Sequence, residues 1–179
     1  MSAAHEQRCC ALQAMFQFDL GGTRDLAQLR ESFEARARED RSADPLEREC
    51  DFTLPSVALG MALAERAWAL RGEADEAVRE LAPEWPTHRQ PSIDRNILRL
   101  GYWEIKHGGV PIALAIDEAV ELAKSYSTEK SSAFINGVLD RIANPVAPAE
   151  GDAIDGCAPQ GEAIDAHAPE PPIIADSAE

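Results

Sequence analysis

The sequence predicts an all-α fold: a single compact bundle of about seven helices, followed by a disordered C-terminal tail. Apolar residues recur every three or four positions between residues 5 and 144, which is the period of a helix with one buried face. Glycine and proline separate these periodic segments, and no segment sustains the strict alternation of a half-buried strand. The predicted domain therefore covers residues 1–144 and the tail covers residues 145–179.

Four helices are predicted in the N-terminal part of the chain. The first has Leu12, Met15 and Phe16 on one face and ends at Gly21–Gly22. The outer face of the second helix carries both acidic and basic residues, which is typical of a solvated surface. The third begins at a proline, which suits a first helical turn. Their predicted spans are 5–20, 25–40, 55–72 and 74–81, with a loop over 41–54 in which a short helical turn is predicted around 46–50.

Three further helices are predicted between Pro91 and Asn144, and this stretch is the best specified part of the chain. The first begins with Ser92 as its cap and is apolar on most of its circumference, so it is predicted to be central. The second follows Pro111, and the third follows Ser127 as its predicted cap. Gly137 lies inside the third helix, where glycine is unfavourable, and predicts close approach of another backbone.

Charge is distributed unevenly along the 179 residues, whose formal net charge is −15. The tail has eight acidic residues and no lysine or arginine, which leaves 17 basic and 24 acidic residues in positions 1–144. It contains the decapeptide GDAIDGCAPQ followed by its near copy GEAIDAHAPE. Such a composition cannot bury enough apolar surface to fold. The tail either aids solubility, which is the simpler interpretation, or shields a basic site.

Enzyme signatures are missing from the sequence: we find no phosphate-binding glycine loop, HExxH motif, nucleophile elbow or dinucleotide fingerprint. We therefore expect neither catalysis nor a cofactor or metal. The four cysteines have neither CxxC spacing nor a nearby histidine set, which indicates reduced thiols in a cytoplasmic protein. The adjacent Cys9 and Cys10 are predicted to be packing groups. No secretory signal and no membrane span is expected.

Several residues allow both a structural and a functional interpretation. The acidic cluster of Asp117, Glu118 and Glu121 is predicted to be a solvated helix face, because no carbonyl-rich loop supplies further metal ligands; a partner surface or a metal site is the alternative. Phe134 could stack on an unpaired base, but its spacing alone favours the core. Four histidines far apart in sequence are predicted to be exposed or capping groups: His5, His88, His107 and His167.

The segment IDEAVELAKSYSTEKSSAFINGVLDRIAN closely resembles the C-terminal signature of the NusB family. SIDRNILRLGYWEI is similar to the preceding helix of that family, and RCCALQAMFQFDL is similar to its first helix, so the resemblance covers residues 5–144. It implies an all-helical domain that binds boxA-type single-stranded RNA of nascent ribosomal RNA transcripts with the ribosomal protein NusE, in the transcription elongation complex. The domain also occurs in ribosomal RNA cytosine methyltransferases, but no methyltransferase domain follows here, which favours the free factor.

The resemblance also implies which residues contact RNA. Arg8 and Phe16 correspond to the RNA-facing first helix, and Asp94, Lys130 and Phe134 correspond to positions near the bound strand. Phe134 is thereby predicted to contact a base.

Departures from the family pattern lower the expected affinity for RNA. The usual arginine-rich run is reduced here to AHEQR, with one arginine. An asparagine of the family is Asp117 in this chain, and a position that is often acidic is Lys130. Because phosphate neutralisation supplies most nonspecific affinity, we expect weak binding to RNA by this protein alone. A helical adaptor with reduced RNA binding, and a relative of the methyltransferase accessory domain, are the alternatives; homodimer formation is left open.

Overall fold

Seven α-helices and one 3-10 turn make up the residues that the computed structural model describes, which are 2–21, 26–38 and 52–145. No strand occurs among these residues, so the predicted all-α class and helix number are confirmed. The predicted helical turn at 46–50 and the tail beyond residue 145 lie outside them. The elements are α1 (Ala3–Asp19), α2 (Leu26–Arg38), α3 (Leu54–Ala69), α4 (Arg71–Leu81), the 3-10 turn (Thr87–Arg89), α5 (Ser92–His107), α6 (Ile112–Tyr126) and α7 (Glu129–Ala143).

Helix α5 is the central element, as its two apolar stripes predict. It contacts α1, α3, α4, α6 and α7. Ile97, Leu98 and Leu100 are fully buried on different sides of the helix. A helix enclosed on all sides must also bury its polar residues, and α5 buries Asp94, Asn96, Arg99 and Glu104. Each of those polar groups needs a partner from another element, because an unpaired buried charge is costly.

Helices α1 and α3 approach each other closely at Gly60. A β-carbon added at Gly60 of α3 would lie 2.7 Å from the β-carbon of Cys10 and 2.7 Å from the carbonyl oxygen of Gln7. Cys9 and Cys10 are both buried, and the side chain of Cys10 lies at this contact, in agreement with their predicted packing role. Burial raises the pKa of the Cys10 thiol to about 12, against a smaller opposing effect of Arg36. The thiol therefore stays protonated at neutral pH and acts as a packing group.

Four predictions from local sequence signals are wrong in detail. Ser92 is the first helical residue of α5 and caps nothing with its side chain. The cap of α7 is Thr128, one residue after Ser127, because its hydroxyl accepts the amide proton of Ser131. Helix α3 ends at Ala69, and Gly72 lies within the next helix. Among the described residues, nothing lies within 4 Å of a β-carbon built at Gly137, so none of their backbone approaches it closely.

None of the described helices combines the length and the apolar composition that a membrane-spanning helix requires.

Gly60 and Gly137, two of the glycines inside the described helices, should respond in opposite ways to the same substitution. Gly137→Ala should raise the free energy of unfolding by about 0.8–1.0 kcal/mol, because alanine favours the helix and the added methyl group meets open space. Gly60→Ala should lower it by about 1–3 kcal/mol, because the methyl group forces α1 and α3 apart. Urea unfolding of the two variants checks both signs. A stabilised Gly60→Ala variant would contradict the close contact of α1 and α3.

Candidate nucleic-acid interface

Asp94 joins the beginning of α5 to the beginning of α7. Its side chain is 2% exposed, and its Oδ2 accepts a hydrogen bond from the hydroxyl of Ser131 at 2.8 Å. Ser131 also donates its backbone N–H to Thr128, which caps the helix. The other carboxylate oxygen of Asp94 is buried and has no hydrogen-bond partner among the described residues. Asp94 therefore positions the first turn of α7 and does not present its carboxylate to solvent.

Lys130 and Phe134 lie one helical turn apart on α7, and so on the same side of that helix. Lys130 is exposed, whereas Phe134 is half-buried and packs against the core. The ring of Phe134 stacks on the ring of Trp85, with 5.1 Å between centroids and 30° between planes. Trp85 was not predicted as a site residue, since a lone aromatic in a proline-interrupted segment has no helical period.

Phe16 is half-buried and lines a cavity of about 510 Å³ between α1 and α2. Ile93 and Tyr126 line the same cavity. These two residues are sequence neighbours of Asp94 and of the segment that leads into α7. Phe16 therefore lies at the end of the bundle where α5 begins, which we call the α5-start end. The remaining lining residues are Leu12, Gln13, Gln17, Gln28, Leu29, Ser32, Phe33 and Arg36.

Asp19 holds the end of α1 at the α5-start end. It forms ion pairs with Arg95 and with Arg99, the latter at 3.2 Å. Burial favours a higher pKa for Asp19, but hydrogen bonds and charges of the two arginines lower it below its usual value. Arg95 also donates to the carbonyl of Thr87 at 3.0 Å, and Arg99 forms a second ion pair with Asp75 of α4 at 2.7 Å. The 3-10 turn, α1, α4 and α5 are thus connected through charged groups.

Arg8 lies away from the other predicted site residues. Its side chain is 6% exposed, and it pairs with Glu104 of α5, with 2.8 Å between Nη2 and Oε1. Glu104 is ten residues after Asp94 along α5, which corresponds to about 15 Å of helix. Burial raises the pKa of Glu104, although the hydrogen bond and charge of Arg8 oppose that effect. The structure therefore brings Phe16, Asp94, Lys130 and Phe134 to one end and leaves Arg8 in a buried ion pair.

The acidic residues of α6 differ from one another. Asp117 and Glu121 are exposed, and Glu121 pairs with Lys124 at 2.7 Å. Glu118 is half-buried, and its carboxylate lies 2.9 Å from Nδ1 of His5. The predicted solvated face thus describes only part of the cluster, and His5 contacts an acid of another helix. Within the described part of the chain, no group of three or more His, Cys, Asp or Glu side chains is arranged to hold a metal ion.

Three exposed cations surround the α5-start end. Lys130 belongs to α7, Arg89 to the 3-10 turn, and Arg36 lines the cavity beside Phe16. None of the three forms an ion pair within residues 2–21, 26–38 and 52–145. Proteins that bind single-stranded nucleic acids combine aromatic side chains, on which bases stack, with cationic side chains that attract the phosphates. Exposed Glu84 and Glu129 limit the local excess of positive charge.

The fold defines the chain as a seven-helix bundle built around a central buried helix, and comparison with known proteins identifies the bundle. The chain belongs to the NusB family, which it matches over residues 5–144. It is 37% identical to the transcription antitermination protein NusB of Anaeromyxobacter dehalogenans over 141 residues, which cover 78% of this chain and 89% of that protein. The corresponding protein of Myxococcus xanthus is also 37% identical, over 80% of this chain and 96% of its own length.

Solved structures agree with this assignment. NusB of T. maritima has a TM-score of 0.63 and 28% identity, and the match covers 83% of this chain and 94% of that one. A chain from a crystal structure of the antitermination factors NusB and NusE in complex with double-stranded RNA also has a TM-score of 0.63. Its identity is 22%, over 82% of this chain and 99% of that chain. At that identity the similarity supports the shared fold alone.

The buried pair of Arg8 and Glu104 predicts strongly non-additive effects on stability. Arg8→Ala should lower the free energy of unfolding by about 3–5 kcal/mol, because it leaves the carboxylate of Glu104 buried without its partner. The double change Arg8→Met and Glu104→Met should cost much less, because neither charge remains in the interior. Urea unfolding of the single variants Arg8→Met and Glu104→Met and of the double variant measures the coupling. If the two single effects simply add in the double variant, the ion pair is not the source of the effect.

Proposed function

We propose that the chain is a transcription antitermination factor that binds boxA-type single-stranded RNA of nascent ribosomal RNA transcripts together with the ribosomal protein NusE. The observation that carries this proposal is the convergence, at the α5-start end, of half-buried aromatic rings and of cations that form no ion pair among the described residues. Membership of the NusB family, whose relatives above are named antitermination proteins, supports the same role. Such a factor acts in the transcription elongation complex, in the cytoplasm, and needs no catalytic group.

The five predicted site residues divide into two kinds. Phe16 and Phe134 supply apolar ring surface for bases, and Lys130 supplies a cation for a phosphate. Asp94 is buried, so it acts by fixing the first turn of α7, from which Lys130 extends. Arg8 is buried too, and it acts by fixing α1 on α5. In this proposal three residues contact RNA, and two position the helices that carry them.

Charge explains why the proposal includes NusE. Residues 1–144 contain 17 basic and 24 acidic residues, so the domain as a whole does not attract a polyanion. The arginine of α1 that the family resemblance assigns to RNA, Arg8, forms a buried ion pair with Glu104 instead. Few phosphates can be neutralised by this chain, and each neutralised phosphate contributes to affinity. We therefore propose weak binding to RNA by the chain alone and tighter binding when NusE supplies further contacts.

The buried state of Arg8 also favours a second candidate function. With that guanidinium paired inside the bundle, the beginning of α1 offers no exposed arginine among the described residues. A helical adaptor that binds NusE and contributes little to RNA binding is compatible with this arrangement. The two functions differ in a single measurable quantity, which is the contribution of this chain to the RNA affinity of the complex with NusE.

Two exposed lysines provide a matched test by salt dependence. Lys130→Ala should weaken binding of boxA-type RNA to the complex with NusE and should reduce the slope of log K against log salt by about 0.7, the value for one phosphate of a single strand. Lys124→Ala is the control, because its charge is already compensated by Glu121 at 2.7 Å. Fluorescence anisotropy over a salt series, with and without NusE, measures both slopes.

The outcomes separate the two candidate functions. A reduced slope for Lys130→Ala with an unchanged slope for Lys124→Ala supports direct RNA contact by α7. Equal slopes for both variants and the unmodified chain, together with intact binding to NusE and an RNA affinity of the complex no higher than that of NusE alone, select the adaptor. Tight binding of boxA-type RNA by the chain without NusE at moderate salt contradicts the proposed weakness of the isolated protein.

A further inference from the structure

Trp85 occupies an unusual place for a tryptophan. It lies in the segment between α4 and α5, and its ring stacks on Phe134. Phe134 packs against the hydrophobic core, whereas Trp85 is not a member of the core cluster or of its packed neighbours among the described residues. A large apolar ring outside the core contributes less to stability than a buried one, because less of its surface is removed from water. Its position therefore calls for a role other than core packing.

The backbone around Trp85 is held by hydrogen bonds. The amide N–H of Trp85 donates to the carbonyl of Ala82 at 3.0 Å. The carbonyl of Trp85 accepts a hydrogen bond from the side-chain amide of Gln90 at 2.9 Å, and Gln90 is itself 5% exposed. The backbone that carries the ring is thus held in place before any ligand binds, and the ring itself stacks on Phe134. Such preorganisation lowers the entropy lost when a ligand stacks on the ring.

Phe134 cannot offer both of its faces to a ligand, because Trp85 covers one of them. The two rings instead form a stacked pair in which Phe134 packs against the core and the half-buried Trp85 lies outside the core cluster. A base added to this stack would continue it on the indole. Tryptophan provides the larger aromatic surface of the two, and base stacking depends on the face of the ring rather than on base identity.

The surroundings of the pair fit a single strand of RNA. Lys130 lies one turn before Phe134 on the same side of α7, and His88 and Arg89 are exposed on the adjoining 3-10 turn. Gly137 lies about one turn after Phe134, and a β-carbon there would meet no atom of the described part of the chain within 4 Å. The side of α7 that bears Phe134 therefore has a lysine before the ring and open space after it. Exposed Glu84 and Glu129 are the acidic groups nearest in sequence to the pair.

We infer that Trp85 is a base-stacking residue of this chain, with Phe134 as the ring that supports it, and that its ligand is one unpaired nucleobase of a single-stranded RNA. The inference rests on the proposed RNA-binding function and assigns to it a contact residue that the sequence comparison does not. A protein side chain of NusE is the competing occupant. The cations around the pair favour RNA, because phosphates flank every base of a strand.

Substitutions of Trp85 that differ in aromatic character provide the test. With a boxA-type single-stranded RNA and the complex with NusE, Trp85→Leu should weaken binding about 5- to 150-fold, because leucine retains apolar bulk without a π-face. Trp85→Phe should retain most of the affinity. RNA should quench tryptophan fluorescence in the unmodified chain and in the control Trp103→Phe, but not in Trp85→Phe. Circular dichroism verifies that each variant keeps its helical content.

Each result of this experiment has a definite meaning. Loss of affinity in Trp85→Leu with retention in Trp85→Phe, and loss of quenching only in Trp85→Phe, supports the stacking role. Equal RNA affinity of Trp85→Leu and the unmodified chain overturns the inference and leaves the proposed function standing. Weaker binding of Trp85→Leu to NusE in the absence of RNA assigns the ring to the protein interface and also overturns the inference. No RNA binding by the unmodified chain, with or without NusE, overturns both.

Discussion

The structure depends on the pairing of buried polar side chains along α5. Asp94 accepts a hydrogen bond from Ser131 of α7, Arg99 bridges Asp19 and Asp75, and Glu104 pairs with Arg8. Apolar burial supplies most of the driving force for folding, but it is not directional. A buried charge has a high desolvation cost unless its partner is in place. We infer that these pairs select the register in which α1, α4 and α7 pack on the central helix.

Those pairs fix the positions of the elements that form the proposed interface. The first turn of α7 is held by the contact between Asp94 and Ser131, and Lys130 extends from that turn. The end of α1 is held by Asp19, one turn after Phe16, and Arg95 connects Asp19 to the 3-10 turn after Trp85. Groups that are distant in sequence are therefore fixed at one end of the bundle. Rigid placement of this kind limits the conformational entropy that is lost when a flexible strand binds.

Local sequence signals predict the helices but only part of the site. Periodicity and flanking glycine or proline place all seven helices, with errors of one to a few residues where neighbouring hydroxyls compete as caps, as at Ser127 and Thr128. Sequence spacing cannot reveal that Arg8 is buried, because its partner Glu104 is 96 residues away. Trp85 gives no periodic signal, and the open space at Gly137 depends on the packing of other helices. Long-range pairing thus decides which polar and aromatic residues are accessible.

The most direct measurement of the central claim is a map of NMR chemical-shift changes in the labelled chain, bound to NusE, when boxA-type RNA is added. If the α5-start end binds RNA, the largest changes fall on Phe16, on the segment from Trp85 to Arg89, and on α7 between Lys130 and Gly137. The indole N–H of Trp85 shifts more than that of Trp103. Changes confined to the exposed faces of α3 and α6, with the α5-start end unaffected, would contradict the claim.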